Sequence, residues 1–294
     1  MNTRRKRTDQ AVVGVVTAIL LTGVIVAVLA LVQTVYVPKI MEQREAEHMD
    51  KVAEQFSYLT SVIDGQAADK TTGIPIATSL TLGSKELPYL LSVRSYGSLE
   101  VLSDTCSLSL SNTTEGGLEL TSTIPIGTIE YSSANAYFLD QSYTYEAAAM
   151  IVSQSQGSLM MIRPGFFAEY NDNETVNISF DIVSISSIGQ KTIAAGYGTY
   201  PIQTEYQATT QTKNITRVQT LTMNTTYPNA WHVFLNRTLS HTGLNTEGYG
   251  SNYRFSETGQ SLTVDFSTVS SPRNVTVFFR FIDIAAQIGP GWVE

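Results

Sequence analysis

From Gln10 to Pro38 the chain carries no charged side chain and is dominated by Val, Leu, Ile and Ala. About 20 apolar residues cross a bilayer core of roughly 30 Å as a helix, so this run predicts a transmembrane helix with length to spare. Its polar members, Thr17, Thr22, Gln33 and Thr34, are mild, and a threonine hydroxyl can bond back to its own helix's carbonyls. Pro38 lacks an N–H and is expected to kink or interrupt the helix. Beyond it, Lys39 to Glu54 is dense in charge and reads as a solvated helical neck. Met49, Val52, Ala53, Phe56, Leu59, Val62 and Ile63 then recur at the spacing of one helix face. That stripe predicts an amphipathic helix buried against the segment that follows, ending at Gly65, with a loop over 67–73.

From Gly73 onward the pattern changes to short alternating runs between turn residues, rich in Ser and Thr. Strands are expected at Ile74–Leu82, Ser98–Leu102, Ser107–Ser111, Gly127–Tyr131, Tyr137–Leu139, Tyr143–Val152, Thr175–Val183, Ile193–Tyr200, Ile202–Thr212 and Ile215–Met223. Trp231–Leu235, Ser261–Phe266 and Asn274–Ile282 read the same way. No helix-length periodic segment is visible among them, which argues against a parallel α/β sheet. The expected fold is therefore mainly β with one long N-terminal α-helix. A transmembrane helix (10–38) continues into an amphipathic helical neck (39–65), and an antiparallel β-sandwich head (73–294) follows. A weak composition break near 165–174 marks two layers or subdomains.

Charge orients this layout. Arg4, Arg5, Lys6 and Arg7 lie only on the N-terminal side of the apolar run, so the positive-inside rule places residues 1–9 in the cytoplasm and the body, from about Lys39, outside. A cleaved secretory signal would have an apolar core of about 7–15 residues and a small-x-small exit. Tyr36-Val-Pro-Lys39 is a poor exit, so a retained single-pass anchor is expected, with the lipid bilayer as first partner. The net charge of −8 includes the basic segment, leaving an acidic exterior without the basic patch that nucleic-acid binding usually needs. Cys106, the only cysteine, cannot pair within the chain and is expected as a small buried strand residue.

The clearest chemical signal is Asn-x-Ser/Thr, present at Asn112, Asn173, Asn177, Asn214, Asn224, Asn236 and Asn274. That is seven of thirteen asparagines, against about 3 by chance in so Ser/Thr-rich a chain, and it points to N-glycosylation of an exported body. Asn177 and Asn274 fall inside expected strands and can carry sugar only if they face solvent. His48 falls in the charged neck, where a solvated face is expected, and His232 and His241 lack partners at metal-ligand spacing. Gly196-Tyr-Gly198 lacks the helix and Lys of a phosphate loop. Glu130, Asp140 and Glu146 share one segment with Tyr131, Tyr137, Tyr143 and Tyr145. The alternatives there are a sugar or calcium site and plain strand residues with amphipathic rings. No catalytic constellation, metal site or cofactor site emerges, and no enzymatic activity is expected.

The order of basic head, uninterrupted apolar helix, amphipathic continuation and β-rich head resembles type IV pilin-like proteins, and archaeal members in particular. Arg7-Thr-Asp-Gln-Ala-Val-Val-Gly-Val-Val16 resembles the start of archaeal pilin-like proteins. Pro75–Pro88, Gly127–Tyr131 and Asp140–Glu146 are similar to a family of uncharacterised archaeal membrane-anchored proteins. The resemblance implies a candidate processing site at the Asp9–Gln10 bond, with Thr8 and Asp9 standing where such sites usually carry Gly or Ala. It also implies other pilin-like subunits or envelope proteins as partners. The expected function is a pilin-like surface protein that contributes to envelope or filament assembly and surface contact. The alternative is a monomeric, membrane-tethered module that binds a carbohydrate or an envelope protein.

Overall fold

The computed structural model describes residues 3–84, 95–114, 117–120, 123–171, 175–244, 252–267 and 274–289. Helix α1 (Thr3–Leu31) passes through a π-helical turn (Val32–Tyr36) directly into helix α2 (Val37–Asp69). Pro38 therefore does not break the helix. The proline has no N–H and its ring crowds the carbonyl one turn back, and the chain answers by widening: the Val37 N–H bonds to Val32 O, five residues back. Gly65 does not end the helix either. α2 runs on to Asp69 and stops at Lys70, which adopts φ +56° and gives its N–H to Gln66 O.

The head begins with β1 (Ile76–Thr81), β2 (Tyr96–Thr114), β3 (Gly117–Leu120), β4 (Ile124–Ala134), β5 (Gln141–Glu146), β6 (Ala149–Gln154) and β7 (Gly157–Ile162). It continues with β8 (Phe166–Asn171), β9 (Thr175–Ser187), β10 (Ile193–Gly196), β11 (Thr199–Ile215), β12 (Val218–Asn224), α3 (Pro228–His241), β13 (Arg254–Thr258), β14 (Ser261–Asp265) and β15 (Asn274–Ile288). The two short strands expected around residues 98–111 are one strand, β2, with a bulge between Leu102 and Cys106. Residues 137–139 are irregular, and Trp231–Leu235 belongs to a helix.

The strands form two curled, mostly antiparallel sheets. The smaller runs β1-β11-β15-β9-β8, and the larger runs β13-β14-β12-β2-β4-β5-β6-β7, with β3 and β10 also pairing on β2. One pair, β9 with β15, is parallel. Each sheet uses opposite faces for two separate cores. In β4, Ile124 and Ile126 enter the core shared with α3, whereas Ile129 and Tyr131 enter the core shared with α2. In β9, Val176 to Ile182 at even positions serve the first core, and Val183 and Ile185 the second. The changeover lies at Gly127, whose N–H bonds to Ser184 Oγ. A Cβ there would fall 1.9 Å from Ile185 O, so only glycine lets the sheets touch.

α2 fills the second core. Val37, Met41, Met49, Val52, Phe56, Leu59, Ile63 and Ala67 are buried, most of them three or four residues apart. At about 1.5–3 kcal/mol per large side chain, the stripe represents roughly 10–20 kcal/mol of gross apolar burial before conformational entropy is subtracted. α3 covers the other core with Trp231, Phe234, Leu235 and Leu239, and Pro228 opens it where a missing N–H does no harm.

Candidate functional site: the exposed helix, its seat in the head and the sequon faces

Helix α1 is exposed along its described side chains, residues 12–31. From residue 12 to residue 36 every side chain is exposed except Val32, which is half-buried. These residues make a helix about 37 Å long at 1.5 Å per residue, long and apolar enough to cross a bilayer core. Its threonines are internally satisfied: the hydroxyls of Thr17, Thr22 and Thr34 donate to the carbonyls of Val13, Ala18 and Ala30. Arg4, Arg5, Lys6, Arg7, Asp9 and Gln10 lie in its first turns.

Immediately past Tyr36 the environment inverts. The charged neck is a seat, not a solvated stalk. Glu45 is fully buried, and its carboxylate accepts three successive backbone N–H groups, from Ala136 (3.1 Å), Tyr137 (2.7 Å) and Phe138 (2.8 Å). Such a nest of amides is a strong, charge-assisted anion cradle. His48, expected on a solvated face, is buried with Nε2 3.3 Å from both Leu82 O and the Tyr131 hydroxyl. Burial lowers its pKa, because the imidazolium would lose its hydration. Further along, Thr81 N–H donates to Gln55 Oε1 at 2.9 Å, which covers the open edge of β1. The Tyr145 hydroxyl donates to Asp64 at 3.0 Å, and Gln66 Nε2 donates to Thr204 O at 2.7 Å. Burial raises the Asp64 pKa. These contacts fix α2 to the head.

The Tyr-rich segment does not assemble a site. Strand alternation sends Tyr143 and Tyr145 toward α2 and sends Thr144 and Glu146 to the opposite face. Tyr131 joins the α2 core, and Asp140 accepts Asn135 N–H in a turn. Glu146 lies buried in the other core, where its Oε1 accepts from Thr225 Oγ1 at 2.7 Å and Trp231 Nε1 at 2.6 Å. Burial pushes its pKa up to about 7 despite those bonds. Cys106 is buried beside it, and desolvation raises the thiol pKa well above its ordinary value. His232 pairs with Glu257. Among the described residues no group of three His, Cys, Asp or Glu side chains could hold a metal ion.

The six described sequon asparagines lie on three parts of the head. Asn177, Asn214 and Asn274 are exposed on the smaller sheet. On the larger sheet Asn224 is exposed and donates to Ser107 Oγ, and Asn112 is half-buried. Asn236 lies on α3, half-buried, and accepts the Tyr253 hydroxyl. Asn173 lies outside the described residues. Sequence reasoning missed the Glu45 cradle, because its three amides lie about ninety residues away and backbone donors leave no residue signature.

A family model described as a family of unknown function (DUF7289) matches residues 10–252. None of the curated proteins and none of the solved structures matches the chain.

Proposed function

We propose that this chain, which belongs to the DUF7289 family of unknown function, is a non-enzymatic, membrane-anchored surface protein, pilin-like in layout, that contributes to envelope or filament assembly and surface contact. The observation that carries the reading is the single helix with two environments. Residues 12–36 are uncharged, predominantly apolar and exposed except at the half-buried Val32, and residues 37–69 are the spine of the head. An exposed apolar face of that size needs lipid or other apolar helices around it. Arg4, Arg5, Lys6 and Arg7 hold the N-terminus on the cytoplasmic side and the head outside. The sequons add support for export, because their acceptor chemistry belongs to the outer side.

Intact mass with N-terminal peptide mapping of protein from its own membrane tests this. A mature start at Gln10, together with detergent-resistant oligomers, supports assembly. A start beyond Val37 sinks the anchor. The second reading, a monomeric tether with a binding head, is favoured by Thr8 and Asp9 preceding the candidate cut. It predicts an intact basic head and a monomer.

A further inference from the structure

The smaller sheet turns one face to the α3 core, and its other face divides in two. α2 covers the half that carries Val183, Ile185, Ile282 and Ile284. Beyond the Asp181–Arg280 ion pair none of the described helices covers that face, which is not polar throughout. Phe278 is 41 % exposed and Phe167 71 % exposed. The register sets Asn214 beside Phe278, Thr276 beside Asn177, and Ser179 beside Phe167. Phe167, Phe278, Asn177 and Asn214 together line a hollow of about 290 Å³.

This arrangement bears directly on the sequons. On a strand, residues i and i+2 share a face, so Asn177 presents its Ser179, and Asn274 its Thr276, to the same side. Phe167 is largely exposed and Phe278 partly so on a Ser/Thr/Asn surface, and exposed apolar clusters mark surfaces that something covers. Sugar rings carry C–H faces that pack on aromatic rings, and the acceptor amides stand next to these two rings. We propose that Asn177 and Asn214 carry N-linked glycans whose first sugars lie over Phe167 and Phe278, making this half of the sheet the sugar-covered face of the head. The inference rests on the reading that the head is exported. In the transfer step, Asn Nδ2 forms a bond to C1 of a lipid-phosphate-linked oligosaccharide. The C1–O bond to the phosphate carrier breaks, the lipid phosphate leaves with the electron pair, and the amide proton passes to the transferase base.

The test is glycopeptide mass spectrometry on full-length protein from its own membrane, followed by fluorescence of the apolar dye ANS on wild type and variants. Glycan mass is expected on both the Asn177 and Asn214 peptides. The double variant Asn177→Gln with Asn214→Gln is expected to raise ANS fluorescence about twofold or more, and adding Phe167→Ser and Phe278→Ser to remove the gain. Asn224→Gln, on the other sheet, is expected to leave it unchanged. Unmodified Asn177 and Asn214 alongside an occupied Asn224 overturn the proposal and leave export standing. A head that external protease cannot reach overturns export and the proposal together. Unmodified asparagines in a wild type that self-associates until Phe278→Ser is introduced give the face to a second copy and also overturn the proposal.

Discussion

Residues 12–36 and 37–69 belong to one unbroken helix, yet they differ in composition and in burial. The first part is predominantly apolar and exposed except at the half-buried Val32, whereas the second is amphipathic and has its apolar stripe buried. Helical hydrogen bonding is common to both, so it cannot be what distinguishes them. The difference lies in where charge is allowed. In the first part charge is absent. In the second it is exposed, as at Glu42 and Glu47, or buried against matched donors, as at Glu45. The π turn at Val32–Tyr36 marks the junction, where Pro38 forces a local adjustment and leaves the helix continuous.

Substitutions sharpen that contrast. The largest effect on the head is expected from Phe56→Ala, about 3–5 kcal/mol by denaturant unfolding of the detergent-solubilised protein, because Phe56 is fully buried. Leu29→Ala, in the exposed helix, is expected to leave head stability unchanged, and a comparable loss there would break the distinction. Next in size, Leu21→Asp puts a carboxylate near the middle of the apolar run. It is expected to weaken membrane insertion by roughly 2.5–3.5 kcal/mol, read as protein shifting from the membrane to the soluble fraction, while the head's unfolding midpoint stays put.

Glu45→Ala removes the acceptor for three backbone amides and is expected to cost the head about 2 kcal/mol, with faster amide exchange at residues 136–138 as the local readout. The smallest effect concerns pH. Burial depresses the folded pKa of His48 below 6.5, so the unfolded chain binds the proton more readily. Stability from this group is present above pH 6.5 and is lost as pH falls through the folded pKa. His48→Gln is expected to flatten the acid limb of a stability–pH curve, and an unchanged limb would show that His48 is not the group.

The sequence made some of this legible and hid the rest. The exposed helix and the stripe at Met49, Val52, Phe56, Leu59 and Ile63 were readable because periodicity encodes burial directly. Most strands were readable for the same reason. α3 was not, because Trp231-His-Val-Phe-Leu235 is rich in β-favouring residues. The helical signal lay in Pro228 at the start and in the spacing of Trp231, Phe234, Leu235 and Leu239. Glu45 and His48 looked solvated because charge usually is. Their partners, the amides of 136–138, Leu82 O and Tyr131, come from distant chain. Asn177 and Asn274 were readable as sequons, but their solvent-facing orientation on the half of the sheet that α2 leaves uncovered required the register.

One measurement tests the two-environment helix most directly: external protease applied to intact membranes carrying the full-length protein, with mass mapping of the fragment that stays in the membrane. The two-environment helix predicts a retained fragment that contains residues 12–36 and a head that is cut, released or trimmed outside it. Recovery of residues 12–36 in the soluble fraction, attached to the head, would contradict it.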